Sequence, residues 1–356
     1  MKRITVITVI ASAIAALASC QKQDDVRVDR EMQDLKISFT GNEITVGTKA
    51  NGIGNEDKIN TAQLMLFNAS GELYRYHSLS ASEISAMTVT VANVKIGTYS
   101  VALVANGPAN LGNTVTTLDG LKTMQLNLKT YNVTGTGFVM WATGSATVTA
   151  DATATVNLEL KRHVGRVVVS KITNSLPASM GSLTINNIML TNVYANVTME
   201  GNAPSSGVLW YNMEGRSDTG SLSDTHIIDG GSYLSQCGDL TFKAVGSSVA
   251  NGASYSTVQR FYGYRNTSTA TPDSFVASYP STGYRSCIVV TATFNGHKWY
   301  YPVILDSFAA HTTYDVQLTI IGEGSTDPNI PVRKGSVKAN ITVADWTVGT
   351  AYNKTI

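Results

Sequence analysis

Apolar and polar residues alternate with period two along most of the chain, the signature of half-buried β-strands. Leu35, Ile37 and Phe39 alternate with Lys36, Ser38 and Thr40, and Ile44 and Val46 continue the pattern past Gly41-Asn42. Val89 and Val91 repeat it, as do Val148, Val156, Leu158 and Leu160. Gln63-Leu64-Met65-Leu66-Phe67 ends at Asn68-Ala69-Ser70-Gly71, and Thr98 to Ala105 ends at Asn106-Gly107-Pro108; both endings are turn signals. Helical periodicity is sparse, and Thr117 to Met124 is the one segment predicted as a short helix, capped by Thr117.

The second half keeps the habit. Val164 to Ile172 and Leu183 to Val193 are β-branched runs, and Phe261 to Tyr264, Cys287 to Phe294 and Trp299 to Leu305 read as strands. Tyr314 to Ile321 alternates again, and Val337 to Val343 alternates most regularly of all. Gly201 to Gly238 is rich in Gly, Ser, Asn and Asp and predicts long surface loops with short strands. Short strands punctuated this way predict a mainly β protein built of sandwiches. At 356 residues and roughly 150 residues per domain, two domains are expected. Their boundary is placed at His163, giving units 35–163 and 164–356, the second with longer loops.

The first residues change the picture by fixing a compartment. Lys2 and Arg3 precede an apolar run from Ile4 to Leu17, too short to span a bilayer as a helix, followed by Ala18, Ser19 and Cys20. Residues 1–19 therefore read as a signal peptide, and Leu17-Ala18-Ser19-Cys20 matches a bacterial lipobox, in which the cysteine is acylated and becomes the first residue. Lipid on Cys20 anchors a chain to a membrane without crossing it. Residues 20–34 form a polar tether, with Asp24 and Asp25 resembling an acidic surface-export signal.

Composition then excludes whole classes. With 26 basic and 25 acidic residues the chain has no cationic excess for nucleic acid. Its 14% charged residues are too few for a long coiled coil, and its 43% apolar residues are enough to bury a core. Removal of Lys2 and Arg3 with the signal leaves 24 basic against 25 acidic residues. Cys237 and Cys287 remain after Cys20; the export route permits a disulfide between them, and two unpaired thiols fit equally well.

Taken in order, several stretches resemble the fimbrillin family, subunits of type V pili on Gram-negative surfaces. The lipobox comes first, then a strand-like segment from Asp34 to Thr48 ending at Lys49 and a Gly- and Asn-rich linker. Leu64-Met65-Leu66-Phe67 and Gly97 to Asn106 are similar to strands of the family's first domain. Arg260-Phe261-Tyr262-Gly263-Tyr264-Arg265-Asn266, Tyr300-Tyr301-Pro302-Val303, Tyr314 to Ile320 and Gly322-Glu323-Gly324 follow in family order, and Val337 to Trp346 resembles its terminal strands. Two positions depart: Lys49 stands where a relative carries arginine, and Ala310-His311 where a relative often has Arg-Asn.

The resemblance implies two tandem transthyretin-like β-sandwiches and assembly by strand exchange. On that implication a basic-specific surface protease cuts after Lys49, releasing strand 35–49, and the vacated groove accepts the C-terminal strand of another copy or another pilus subunit, so that the subunits polymerise into an adhesive fimbria. The displaced face is then Leu35, Ile37, Phe39, Ile44 and Val46. The donor face, in segment 335–356, is Val337, Ala339, Ile341 and Val343, separated by Lys338, Asn340 and Thr342. Both have the period-two face that a shared register demands. Lys49 is the only basic residue between Lys36 and Lys58, and glycines surround it. Cutting there leaves 19 basic and 19 acidic residues. On the residues alone, the last strand simply closes its own sandwich and Lys49 is a solvated loop lysine. A surface lipoprotein that binds glycans without polymerising, or serves as a pilus anchor, is the alternative.

Enzyme chemistry has no motif here: there is no nucleophile elbow, phosphate loop or His-Glu helix pattern. The five histidines, His77, His163, His226, His297 and His311, lack ligand spacing, and Asp224, His226 and Asp229 make a triple that loop composition accounts for. No metal or cofactor is expected. Trp210, Trp299, Tyr300 and Tyr301 could stack on a sugar, but at strand positions they read as core or cross-strand pairs.

Overall fold

Strands dominate the computed structural model, which describes residues 31–41, 56, 58–132, 137–194, 196–203, 209–210, 238–269, 285–326, 332, 335–345 and 352–355. In the first half these are β1 (Met32–Gly41), β2 (Ala62–Phe67), β3 (Leu73–Ser78), β4 (Thr88–Lys95), β5 (Gly97–Ala105), β6 (Gln125–Asn127), β7 (Met140–Val148) and β8 (Ala154–Arg162). Short helices interrupt them: α1 (Ala81–Ala86), α2 (Leu111–Thr114), α3 (Leu118–Thr123) and α4 (Leu128–Tyr131). The expected cap holds, for the Thr117 hydroxyl accepts from Gly120 N–H at 3.0 Å at the start of α3. No helix among the described residues is long and apolar enough to cross a membrane.

Seven strands pair in the order β3-β2-β5-β7-β8-β1-β4. The join between β7 and β8 is only two residue pairs long, Met140 with Arg162 and Trp141 with Lys161. The sheet folds over at that narrow join, so Leu35, Ile37 and Phe39 of β1 share one core with Leu64, Leu66, Val101 and Leu103. The opposite face of β2 and β5, with Met65, Phe67, Ala102 and Val104, is buried in a second core. Burial on both faces is why residues 64–67 of β2 and 101–105 of β5 are continuously apolar rather than alternating.

The second half contains β9 (Val164–Asn174), β10 (Leu183–Thr191), β11 (Val193–Tyr194), β12 (Asn196–Thr198), β13 (Leu209–Trp210), β14 (Phe242–Val249), β15 (Ser254–Tyr255), β16 (Gln259–Tyr264), β17 (Cys287–Phe294), β18 (His297–Ile304), β19 (Thr312–Ile320), β20 (Val337–Asp345) and β21 (Tyr352–Thr355). One sheet runs β14-β10-β17-β18; the other runs β15-β9-β19-β20-β21, with β16 also on β9. Ile188, Val290 and Tyr301 from the first meet Val167, Val316 and Leu318 from the second.

His163 is the single residue between β8 and β9. The halves are joined by more than the chain. Strand β6 pairs with β12 through Asn127–Asn196, Leu126–Val197 and Gln125–Thr198, and Leu126, Leu128 and Phe138 share a core with Val197, Tyr262 and Tyr264.

Candidate functional site

Strand β1 has a neighbour on each side. It runs antiparallel to β4, Leu35 opposite Val91 and Ile37 opposite Val89, and parallel to β8, Ile37 opposite Val156 and Phe39 opposite Leu158. Leu35 and Ile37 are 0% exposed and Phe39 is 2% exposed, whereas Lys36 and Thr40 face solvent. The alternation read from the sequence is thus the alternation of the seat. At its start β1 bulges between Gln33 and Leu35, where the Asp34 carboxylate accepts from Asn93 N–H at 3.2 Å.

Taking such a strand away carries two costs. Leu35, Ile37 and Phe39 contribute roughly 1.5–3 kcal/mol apiece by burial, so roughly 5–9 kcal/mol together. That approaches the roughly 5–15 kcal/mol that holds a whole domain folded. The backbone groups of β4 and β8 that face β1 would also lose their partners. A vacated seat therefore favours another strand of the same period.

The remaining expected site residues divide in two. Cys20, Ile44, Val46 and Lys49 lie outside the described residues, as do Cys237, Asp224, His226 and Asp229. The face Val337, Ala339, Ile341 and Val343 lies on β20, which pairs with β19 over nine residues on one side and with β21 on the other. Ala339 and Ile341 are buried, and Val337 and Val343 pack against the same core.

A group that sequence reading missed sits between β1 and β2 in the chain. The carboxylate of Glu56 is fully buried, pairing with the Arg166 guanidinium and accepting the Tyr262 hydroxyl hydrogen. Its backbone carbonyl accepts from Arg162 Nε at 3.3 Å, and Arg166 also donates to the Thr313 hydroxyl at 3.0 Å. Burial, then the Glu56 charge, pushes the Tyr262 phenol well above its usual range. The only sequence signal was an arginine, Arg166, within the β-branched run from Val164.

Two residues on, at Lys58, the chain is held in a bracket formed by the distant Asn106. Asn106 ends β5 in the left-handed conformation (φ 53°), which asparagine tolerates. Its side-chain oxygen accepts from Asn60 N–H at 2.8 Å and Thr61 N–H at 3.4 Å. Its amide donates to the carbonyls of Lys58 at 2.8 Å and Phe138 at 3.1 Å. Gly137 makes room for this: a methyl group there would lie 2.7 Å from the Asn106 amide nitrogen and 2.8 Å from the Lys58 carbonyl oxygen.

Among the described residues, no group of three His, Cys, Asp or Glu side chains is placed to hold a metal ion. Cys287 is a free, buried thiol. Tyr300 and Tyr301 are buried core residues, and Trp299 stacks on Phe294 at 5.9 Å. The side chain of Trp210 lies outside the description.

Comparison with known proteins matches residues 29–351 to a family described as fimbrillin-A associated anchor proteins Mfa1 and Mfa2. Over 141 residues the chain is 30% identical to Fim1C of Parabacteroides distasonis, a protein provisionally named a fimbrium tip subunit; the match spans 38% of each chain. The fold is similar to that of a fimbrilin (FimA) from Porphyromonas gingivalis W83, with a TM-score of 0.59 at 12% identity, covering 90% of this chain and 99% of that one. It is also similar to the tip fimbrial protein Mfa3 of P. gingivalis, with a TM-score of 0.51 at 12% identity, covering 88% and 100%.

Proposed function

Because the chain belongs to the family of fimbrillin-A associated anchor proteins Mfa1 and Mfa2, a family of surface fimbrial proteins, we propose that it is a fimbrial subunit whose first strand is a placeholder. In this reading residues 1–19 direct export, Cys20 is lipidated, and residues 20–34 tether the chain to the outer membrane. Two transthyretin-like sandwiches, 35–163 and 164–356, follow. A basic-specific surface protease cuts after Lys49, β1 leaves, and a strand from another subunit fills the seat between β4 and β8. The observation that supports it is the place of β1, an interior strand with three fully packed apolar side chains.

The test is the N-terminus of this subunit in high-molecular-weight material sheared from cells. A start at Ala50 is expected. A blocked, acylated Cys20 in a species that stays monomeric would sink the exchange reading and leave a membrane-held anchor or glycan-binding module.

A second reading concerns position in the fimbrium. The face Val337, Ala339, Ile341 and Val343 is available for donation only if β20 leaves the nine-residue ladder with β19. That commitment favours a terminal subunit, which accepts a strand and donates none, in keeping with the names of Fim1C and Mfa3. Trimmed, purified subunit that stays monomeric on concentration, yet takes up a strand from a stalk subunit, is the expected result. Self-assembly into fibres would instead assign segment 335–356 the donor role.

A further inference from the structure

Lys58 raises a question that its exposure does not answer. Its side chain faces solvent, as a basic-specific protease requires, and it follows Lys49 by nine residues of sequence. We infer that the buried Glu56 carboxylate and the Asn106 bracket form a stop that confines proteolytic trimming to the segment before Glu56 and so defines the new N-terminus. The inference rests on the processing reading above and deepens it.

A protease binds several residues on each side of the cut in extended form, so a bond in a folded segment is cleaved only after local opening. The Lys58–Ile59 bond is held on both sides. Two residues before Lys58, Glu56 is fixed by Arg166, Tyr262 and Arg162, drawn from β8, β9 and β16. At the bond itself the Lys58 carbonyl accepts from Asn106, and the next two amides, of Asn60 and Thr61, donate to the same side chain. Ile59 packs against the core around β1, within reach of Gly41, where a methyl group would touch it at 3.4 Å.

The stop also protects what it is made of. A cut after Lys58 would release Glu56 with the peptide and strip Arg166 of its carboxylate in a site that is 7% exposed on the arginine side. Taking a carboxylate partner from a buried guanidinium is costly, so over-trimming would weaken the junction of the two halves. A cut after Lys49 leaves that pair untouched.

The experiment is timed trypsin digestion of the purified full chain, with new termini at Ala50 and Ile59 quantified by mass spectrometry. Wild type is expected to yield the Ile59 terminus slowly. Glu56→Gln and, separately, Asn106→Gly, which keeps the left-handed backbone accessible, are each expected to accelerate that terminus by about tenfold or more, since cleavage follows the open population. Cleavage after Lys243 and Arg285 should stay at the wild-type rate and thereby exclude general unfolding. If Glu56→Gln unfolds and is cut everywhere, Asn106→Gly decides. Wild type cut after Lys58 as fast as after Lys49, or a folded Asn106→Gly with an unchanged Ile59 rate, overturns the stop. Absence of any Ala50 terminus would instead refute processing at Lys49, because the Ile59 rates are read independently.

Discussion

Replacing Ile37 by alanine isolates what the β1 seat is worth. Ile37 is 0% exposed and lies between Val89 on β4 and Val156 on β8, so the strand cannot sink inward to close the space. A poorly relaxed loss of that size costs about 3 kcal/mol, within the roughly 2–5 seen for such truncations. The neighbouring Lys36 points to solvent, and Lys36→Ala should stay within about 0.5 kcal/mol of wild type. Urea unfolding followed by tryptophan fluorescence measures both in the intact chain. The same pair should then be compared after a nick at Lys49, when β1 is held by non-covalent contacts alone. There the 3 kcal/mol becomes a weakening of rather more than about a hundredfold in retention of the strand. Equal effects of the two substitutions, in either form, would mean that the register is slipped by one residue and that the buried face has been misassigned.

Three further outcomes are expected. Arg166→Ala takes the paired guanidinium from the buried Glu56 carboxylate and should cost about 3–5 kcal/mol, whereas Glu56→Leu with Arg166→Met should lie nearer wild type than either single change; additive losses in urea unfolding would contradict this. Burial holds the His163 ring below its ordinary pKa while Nε2–H donates to the Met199 carbonyl at 2.7 Å. The unfolded chain therefore takes up that proton first, so the stabilisation is complete above about pH 6.5 and drains away as pH falls through the folded value; an identical acid slope in His163→Gln would refute it. Burial also pushes the Cys287 thiol upward, so iodoacetamide at about pH 8 should leave the native chain unlabelled and react once urea is added; labelling of the folded protein would show that the site opens.

Local chemistry made much of this fold legible. The strand Cys287–Phe294 has its expected bounds, and Thr117 caps α3 as its position implied. The alternation of Leu35, Ile37 and Phe39 gave the buried face of β1, because a half-buried strand writes its burial into every second residue. Helix α1 escaped notice: it buries none of its residues and has no apolar period, though Ser80 and Glu83 form a capping box. Which strands flank β1 was beyond reach, since β4 and β8 are chosen by packing between distant segments. The same holds for Glu56, which finds Arg166 110 residues and Tyr262 206 residues further along the chain. A charge seeking a distant counter-charge leaves no periodic trace.

The pairing of β6 with β12 bears on how the molecule carries a load. A subunit standing in flowing liquid is pulled from its ends, and a bare connection at His163 would let the two halves swing and peel one at a time. Three cross-strand residue pairs and the core behind them, with Phe138 against Tyr262 at 4.7 Å, oppose that swing. Tension entering one half is passed to the other through packed side chains and a short ladder as well as through the backbone. A fimbrial subunit joined in this way would extend little before its packing yields.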